Sequence, residues 1–425
     1  MSPLSRKGPP TPPGPRPAAD TDTDTDTDAD TGTAADTHAE PGASPHWRSH
    51  AAVLALGTFA VGTDAFVIAG VLPDIADSFG VSVSAAGQLV TVFSLAYALS
   101  APVLGVLTAG WSRRTALVVA LAVLTAGNVL TAVAPSYPLV LASRAIAATG
   151  AALYTASATA AAATLAGRRH HGKAISVVML GLTSSLVLGT PIGTVIGGAF
   201  GWRSTLWFLV IAGAVAAVVV AVRLPAIPGT AGAGLRVRLA PLTDRRVLAA
   251  LGRTLLAFTG VYVPYTYLSA VYEPATGGDS GLLAIFLLVF GVAGTAGNLV
   301  AGTLADRLGA ARVIVVATSL LAVALLAVPA LRGSVAAAIP AIVVVGFFSF
   351  AITTPQQQEI IVLAPGAHSV VTSLYQSALY LAISLSGVLG GLALSGLGAG
   401  PLSPLAAVLV LLTALATHRS AHRRG

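Results

Sequence analysis

The sequence predicts an all-α polytopic membrane protein: twelve transmembrane helices in two pseudo-symmetric six-helix bundles. Three observations carry this. The 425-residue chain is 55% hydrophobic and 9% charged, with a mean hydropathy of +0.84, whereas soluble domains carry about 25% charged residues. Apolar runs of roughly 20 residues, the length that crosses a bilayer, recur along it. Lys and Arg gather in alternate loops, the asymmetry that orients membrane proteins.

Residues 1–45 stand apart. A Pro-rich stretch (PPTPPGPRP) leads into a Thr-Asp repeat (DTDTDTDTDAD), and eight acids face three bases there. Such a segment has little to bury and repels itself, so a disordered tail is expected. No apolar stretch follows Arg6 and Lys7 closely, so the start does not read as a secretory signal peptide. The rest of the chain holds 20 bases and eight acids. They lie mostly in short loops, which points to membrane orientation and away from nucleic acid.

From Ser49 onward, twelve apolar spans follow: 50–72, 84–108, 114–134, 137–165, 174–199, 203–223, 247–272, 280–305, 312–330, 334–355, 368–392 and 401–417. Continuous apolarity without a period of two makes them helices, not barrel strands. The widest gap, LPAIPGTAGAGLRVRLAPLTDRR, is Pro/Gly-rich and basic. It separates an N-terminal bundle (46–224) from a C-terminal one (247–425), with 225–246 as a cytoplasmic linker. Of 23 Lys and Arg, only Arg203 and Arg332 fall on one side and only Arg144 and Arg253 inside spans; the other 19 share the opposite side. Both termini and the linker are therefore expected in the cytoplasm of a multi-pass cell-membrane protein.

The halves repeat. GVLTAGWSRR from Gly105 closes span 2 and enters span 3; GTLADRLGAAR from Gly302 closes span 8 and enters span 9. Repeats of this kind mark transporters that rock one half against the other.

These stretches resemble the major facilitator superfamily, in particular its twelve-helix drug:proton antiporters, the branch of arabinose-efflux-like and chloramphenicol-resistance-like permeases. The resemblance spans about residues 50–415. The cytoplasmic loop motif keeps Gly302, Asp306, Arg307 and Gly309 in its second copy. The first copy keeps Gly105, Arg113 and Arg114, but has Ala109 in place of the aspartate and Ser112 in place of the glycine. In the family that aspartate helps latch the cytoplasmic side. Span 1 (GTFAVGTDAFVIAGVLPDIA) resembles the branch's first-helix signature, and Arg144 through Gly150 the R-x-x-x-G pattern of its fourth helix. GTPIGTVIGG, with Gly189, Pro191, Gly193, Gly197 and Gly198, is similar to the antiporter motif that sets exporters apart; Gly201-Trp-Arg203 follows it. The look of span 7 (TGVYVPYTYL) agrees.

The residues give these motifs a physical content. Asp64 is the one acid deep inside a span, roughly 12 Å from its outer end. Burial favours the neutral acid and a nearby cation the charged one; that competition suits loading a proton at one face and releasing it at the other. The alternative is a permanently paired acid that fixes packing. Arg144, roughly 10 Å from the outer end of span 4, matches Asp64 in depth and is its candidate partner for proton coupling. Arg253 lies only about 9 Å from the inner end of span 7 and is expected to snorkel to the interface. In span 5, Gly189, Gly193 and Gly197 share one face, and Pro191 invites a kink. That combination suits a surface that slides and seals; plain small-residue packing is the alternative. Candidates lining a substrate cavity are Phe93, Tyr97, Tyr154, Tyr262, Tyr265, Gln376 and Tyr380, whose rings with polar tips suit amphipathic molecules.

The chain has no cysteine, its eight histidines avoid the span interiors, and no phosphate-binding Gly-Lys-Ser/Thr loop is present. No metal, cofactor or ATP drive is expected. The function expected is proton-coupled secondary export of a small amphipathic compound, a drug or antibiotic, by a monomer working by alternating access with substrate, protons and lipid as its partners. A sugar or metabolite exporter of the same fold is the first alternative. A membrane-embedded enzyme would need clustered acids or histidines in the spans. A non-transporting sensor would need an output domain beyond the tail.

Overall fold

The computed structural model describes residues 46–229, 234–364 and 368–422. The tail expected over 1–45 lies outside the described residues. Among the described residues, twelve helices are long and apolar enough to cross a membrane: Trp47–Phe79, Val83–Leu107, Arg113–Val133, Tyr137–Gly167, Arg169–Phe200, Trp202–Arg223, Arg245–Thr266, Ser280–Leu308, Ala310–Leu331, Val335–Leu363, Val370–Leu397 and Leu402–Ser420. They are numbered helix 1 to helix 12. Among the described residues there is no strand.

Short connections force neighbouring helices antiparallel. Gly201 (φ 85°) and Gly309 (φ 86°) turn the chain between helices 5 and 6 and between 8 and 9, a backbone region that side chains with a Cβ rarely enter. Ser112, Ser334 and Asp279 cap helices 3, 10 and 8, each accepting a hydrogen bond from the backbone N–H three residues on. Helix ends in apolar surroundings need such partners.

In the first six helices, helix 1 packs against the helix 4–5 hairpin and helix 6, and helix 3 against the same hairpin and helix 6. In the second six, helix 7 packs on helices 11 and 12, helix 8 on helix 10, and helix 9 on helices 12 and 10. The two bundles meet along helices 2 and 11 and along helices 5 and 8. Helix 7 has 72% of its apolar window buried and helix 6 only 33%, so helix 7 is central and helix 6 faces lipid.

Helices 7 and 10 are broken at prolines. Helix 7 stops at Thr266, and after Tyr267 a second piece runs over Leu268–Thr276. Pro264 has no N–H for the Gly260 carbonyl, which loosens that turn. Helix 10 breaks at Ala351 and Ile352, between Val335–Phe350 and Thr353–Leu363. Pro355 likewise leaves the Ala351 carbonyl without its helical donor. Helix 10 also runs eight residues past the end expected at 355, because the polar run TTPQQQE turns its side chains onto neighbouring helices. Thr354 donates to Asn298 Oδ1 (2.8 Å) and Gln358 to Asp306 Oδ1 (3.0 Å).

Candidate functional site: a buried ion pair and an aromatic layer

The helix ends carrying Arg48, Arg113, Arg223, Arg245, Arg312 and Arg419 form a basic face; Arg203 and Arg332 lie at the opposite, base-poor face, with Asp74, Asp77, Glu273 and Asp279. Asp64 in helix 1 is 0% exposed and Arg144 in helix 4 is 1% exposed. Arg144 Nη1 lies 2.6 Å from Asp64 Oδ1, and its Nη2 donates to the Asp64 main-chain carbonyl at 3.1 Å. The pairing expected from matched depth is therefore present. Asn128 of helix 3 joins it: Nη1 also donates to Asn128 Oδ1 at 3.3 Å. Phe93 of helix 2 covers the guanidinium, its ring centre 4.4 Å from Cζ. Thr131 and Ser143 share a hydrogen bond at 2.8 Å that ties helix 3 to helix 4 beside this cluster. Asp64 Oδ2, Asn128 Nδ2 and Arg144 Nε have no protein partner.

The other cavity candidates divide. Tyr97 (helix 2) stacks on Tyr380 (helix 11) across the two bundles, centroids 3.5 Å apart. Tyr380 also lies within electrostatic reach of Asp64 and Tyr262. Phe66, two residues from Asp64, stacks on Tyr262 at 6.2 Å and meets Tyr265 edge-on at 6.1 Å. These rings enclose, with Ala69, Val90 and Ile383, a space of only about 10 Å³, far below the several hundred a drug-sized molecule needs. The aromatic layer is closed on itself. Tyr154 faces elsewhere: its hydroxyl donates to the Leu54 carbonyl at 2.9 Å and its ring fills the notch at Gly57. Gln376 is partly buried on helix 11. A cavity of about 360 Å³ lies among helices 8, 9 and 10 beside Leu304, Arg312 and Phe347 and is lined by none of the seven candidates.

The bundles touch from the base-poor face down to the Tyr97–Tyr380 layer. Ser84 and Gln88 of helix 2 donate to the carbonyls of Gly391 (2.7 Å) and Gly387 (3.3 Å) in helix 11. Tyr267 donates to Gly387 at 2.7 Å and packs on Gly87. Gly291 of helix 8 abuts the backbone of Leu186 and Val187.

Three of the span-5 glycines form one surface toward a single neighbour, helix 1. Gly189 abuts Thr63, Gly193 abuts Val67, and Gly197 abuts Val71, all in helix 1 of the same bundle; Gly198 alone of the motif meets the other bundle, at Ser280. Pro191 follows a π-helical turn, Ser185–Gly189, whose wider ring absorbs the missing donor.

Both loop-motif copies are engaged. Arg238 of the linker donates to the Gly105 carbonyl at 3.0 Å, and the Arg113 backbone N–H donates to Ile227 at 2.9 Å. Arg114 and Arg307 are exposed. Gly302 faces Thr354 of helix 10.

Arg253 corrects its expected snorkelling. It is 5% exposed, with Nη2 2.7 Å from Glu359 Oε1 and Nη1 3.0 Å from Ser420 Oγ. A carboxylate within reach on helix 10 removes the reason to extend toward water. Sequence reasoning missed Glu359, Gln356 and Asn128. Each had a signal: polar side chains inside or abutting apolar runs, where few are tolerated.

The family model described as Major Facilitator Superfamily matches residues 54–387. The MFS-type transporter YbcL of Bacillus subtilis is 33% identical over 86% of this chain and 94% of its own. A chloramphenicol resistance protein of Streptomyces lividans is 33% identical over 77% of this chain and 84% of its own. A probable sugar efflux transporter of Mannheimia succiniciproducens is 27% identical over 84% and 90%. Among solved structures, a D-xylose–proton symporter superposes with a TM-score of 0.70 at 17% identity, over 87% of this chain and 97% of that one, a likeness of fold.

Proposed function

The chain belongs to the major facilitator superfamily and is a membrane transporter, not an enzyme; from that premise we propose that it exports a small amphipathic compound in exchange for protons. The observation that carries the proposal is the Asp64–Arg144 pair, a carboxylate and a guanidinium withdrawn from solvent inside two spans. Intramembrane ionisable groups are costly and mark transport pathways.

The chemistry runs as follows. Asp64 takes a proton on Oδ2, the oxygen without a protein partner. Its charge is lost, and Arg144 keeps two acceptors, the Asp64 carbonyl and Asn128 Oδ1. When ionised, the same Oδ2 instead holds a hydrogen-bond-donating or cationic group of the substrate. Release of the proton at the cytoplasmic face restores the charge and lets the compound bind; protonation at the opposite face expels it. Proton and substrate thus compete for one site, the condition for exchange.

Rocking of residues 46–224 against 247–425, joined by 225–246, supplies alternating access. The contacts from the base-poor face to the Tyr97–Tyr380 layer support a state closed on that side. The positive-inside rule places the basic face and both termini in the cytoplasm of the inner membrane. The protein acts as a monomer in this reading. The chloramphenicol-resistance relative favours a drug or antibiotic as cargo, and the aromatic layer suits one. The sugar-efflux relative favours a second reading, export of a sugar or metabolite.

The test is transport in everted vesicles under an imposed pH gradient, with antibiotics, dyes and sugars as candidate cargo. Accumulation that collapses with the gradient and with Asp64→Asn supports the proposal. Accumulation indifferent to both overturns proton coupling.

A further inference from the structure

Helix 10 carries, across its break, a row of polar groups that transport through Asp64 does not use. Ser349, Thr353 and Gln356 are spaced by four and three and so share one helix face. Ser349 is 0% exposed and Gln356 3%. Ser349 Oγ, Thr353 Oγ1 and both amide atoms of Gln356 are buried without a protein partner. The row starts at the helix break, where the Ala351 carbonyl has lost its helical donor to Pro355. Tyr375 of helix 11 donates to the Thr353 carbonyl at 3.2 Å. One turn below Gln356, the row ends at Glu359 and its 2.7 Å pair with Arg253, which also holds Ser420 of helix 12.

Buried polar atoms in native proteins are nearly all hydrogen-bonded, to protein or to water. Four such atoms along a single face, at a helix discontinuity, are not explained by packing. Broken backbone at membrane depth is tolerated where it is buried in protein or lines an aqueous space, and the unpartnered polar atoms beside this break favour the second. From Ser349 to Glu359 the face runs about 15 Å along the helix axis, from mid-membrane to the basic face.

We infer that this face of helix 10 lines a narrow aqueous inlet, a file of water admitted beside Arg253–Glu359 and reaching Ser349. The occupant is water, bound to the Ser349 and Thr353 hydroxyls, the Gln356 amide and the Ala351 carbonyl. The inlet gives the C-terminal bundle its own hydrated connection to the basic face. It stands apart from the role of Asp64.

The native chain contains no cysteine, so single cysteines report without background. Ser349→Cys, nearly isosteric, Thr353→Cys and Gln356→Cys are each exposed in permeabilised membrane vesicles to a small charged methanethiosulfonate. Ile342→Cys, on the same helix and 2% exposed, is the dry control. Access decides thiol reactivity, and all three inlet positions are expected to label at least about tenfold faster than the control. Equal labelling at all four positions, or none at the three, overturns the inlet. Labelling at Gln356→Cys alone overturns its reach to mid-membrane. Asp64→Asn, run in parallel, leaves the labelling unchanged, so loss of proton coupling and loss of the inlet are separate results.

Discussion

Arg144 grips Asp64 at two points, the carboxylate through Nη1 at 2.6 Å and the main-chain carbonyl through Nη2 at 3.1 Å. Neutralising the carboxylate removes only the first. Asp64→Asn should therefore leave the helix 1–helix 4 contact in place while abolishing proton-driven transport. Arg144→Leu strands a buried carboxylate instead, at a cost of about 3–5 kcal/mol. Thermal unfolding in detergent should show the Arg144 variant well below the Asp64 variant, and the double variant recovering part of the loss. Proton-driven transport at the native rate in Asp64→Asn rejects the coupling role.

Asn128 supplies the acceptor that Arg144 retains when Asp64 is protonated. Removing it in Asn128→Ala costs roughly 1.5–3 kcal/mol for a hydrogen bond to a charged group. With one acceptor fewer, Arg144 depends more on the ionised carboxylate, so more acid is needed to protonate it. The pH profile of exchange should move to the acid side while expression persists. A profile that stays in place would assign Asn128 to packing alone.

The spans were legible because lipid demands about twenty apolar residues whatever the fold. Their interruptions were not, since Pro264 and Pro355 sit in apolar or polar runs that read as continuous helix or as loop. The polar end of helix 10 was cut short for the same reason: TTPQQQE resembles a loop until Asn298, Asp306 and Arg253 are seen to receive it. Matched depth sufficed to pair Asp64 with Arg144. The placement of Asn128 and Phe93 around Arg144 depends on the rotation of helices 3 and 2, which spacing does not specify. Likewise, four-residue spacing revealed a smooth face on helix 5 but not that three of its glycines meet helix 1.

That division predicts different failures within one motif. Gly193→Leu drives a side chain into Val67 and Thr205 inside the first bundle, an overpacking cost of about 1–3 kcal/mol. It should lower the unfolding temperature and transport together. Gly198→Leu meets Ser280 of the other bundle. It should leave unfolding nearly unchanged and raise the cysteine accessibility of the base-poor face, because the bundles no longer close there. Equal unfolding losses in both would mean that Gly198 serves no joint between the halves.

Pro191 follows a turn already widened to π geometry, so its absent donor is accommodated locally. Pro191→Ala restores an N–H and allows the turn to tighten to ordinary α geometry. The register of Gly193 and Gly197 against helix 1 would then shift by a fraction of a turn. Uncoupled or slowed transport with a native unfolding temperature is expected from vesicle flux and calorimetry. Native transport would reduce the motif to small-residue packing.

The first loop copy shows what its missing aspartate leaves behind. Arg113 and Arg238 lie within electrostatic reach of one another, and Arg238 is held to the Gly105 carbonyl at 3.0 Å. The linker covers the same turn, with Gly229 against the carbonyls of Ala109 and Trp111. A carboxylate introduced by Ala109→Asp enters a neighbourhood of two cations. At a half-buried site such a pair is worth about 0–1 kcal/mol, enough to move a nearly balanced equilibrium between two conformations by up to about fivefold. Cysteine accessibility at the two faces should register that shift. Arg238→Ala in the same background should diminish it if the carboxylate acts by pinning the linker. An unchanged balance in Ala109→Asp would mean that the linker already latches this side through Arg238 and Ile227, and that the substitution at 109 is silent.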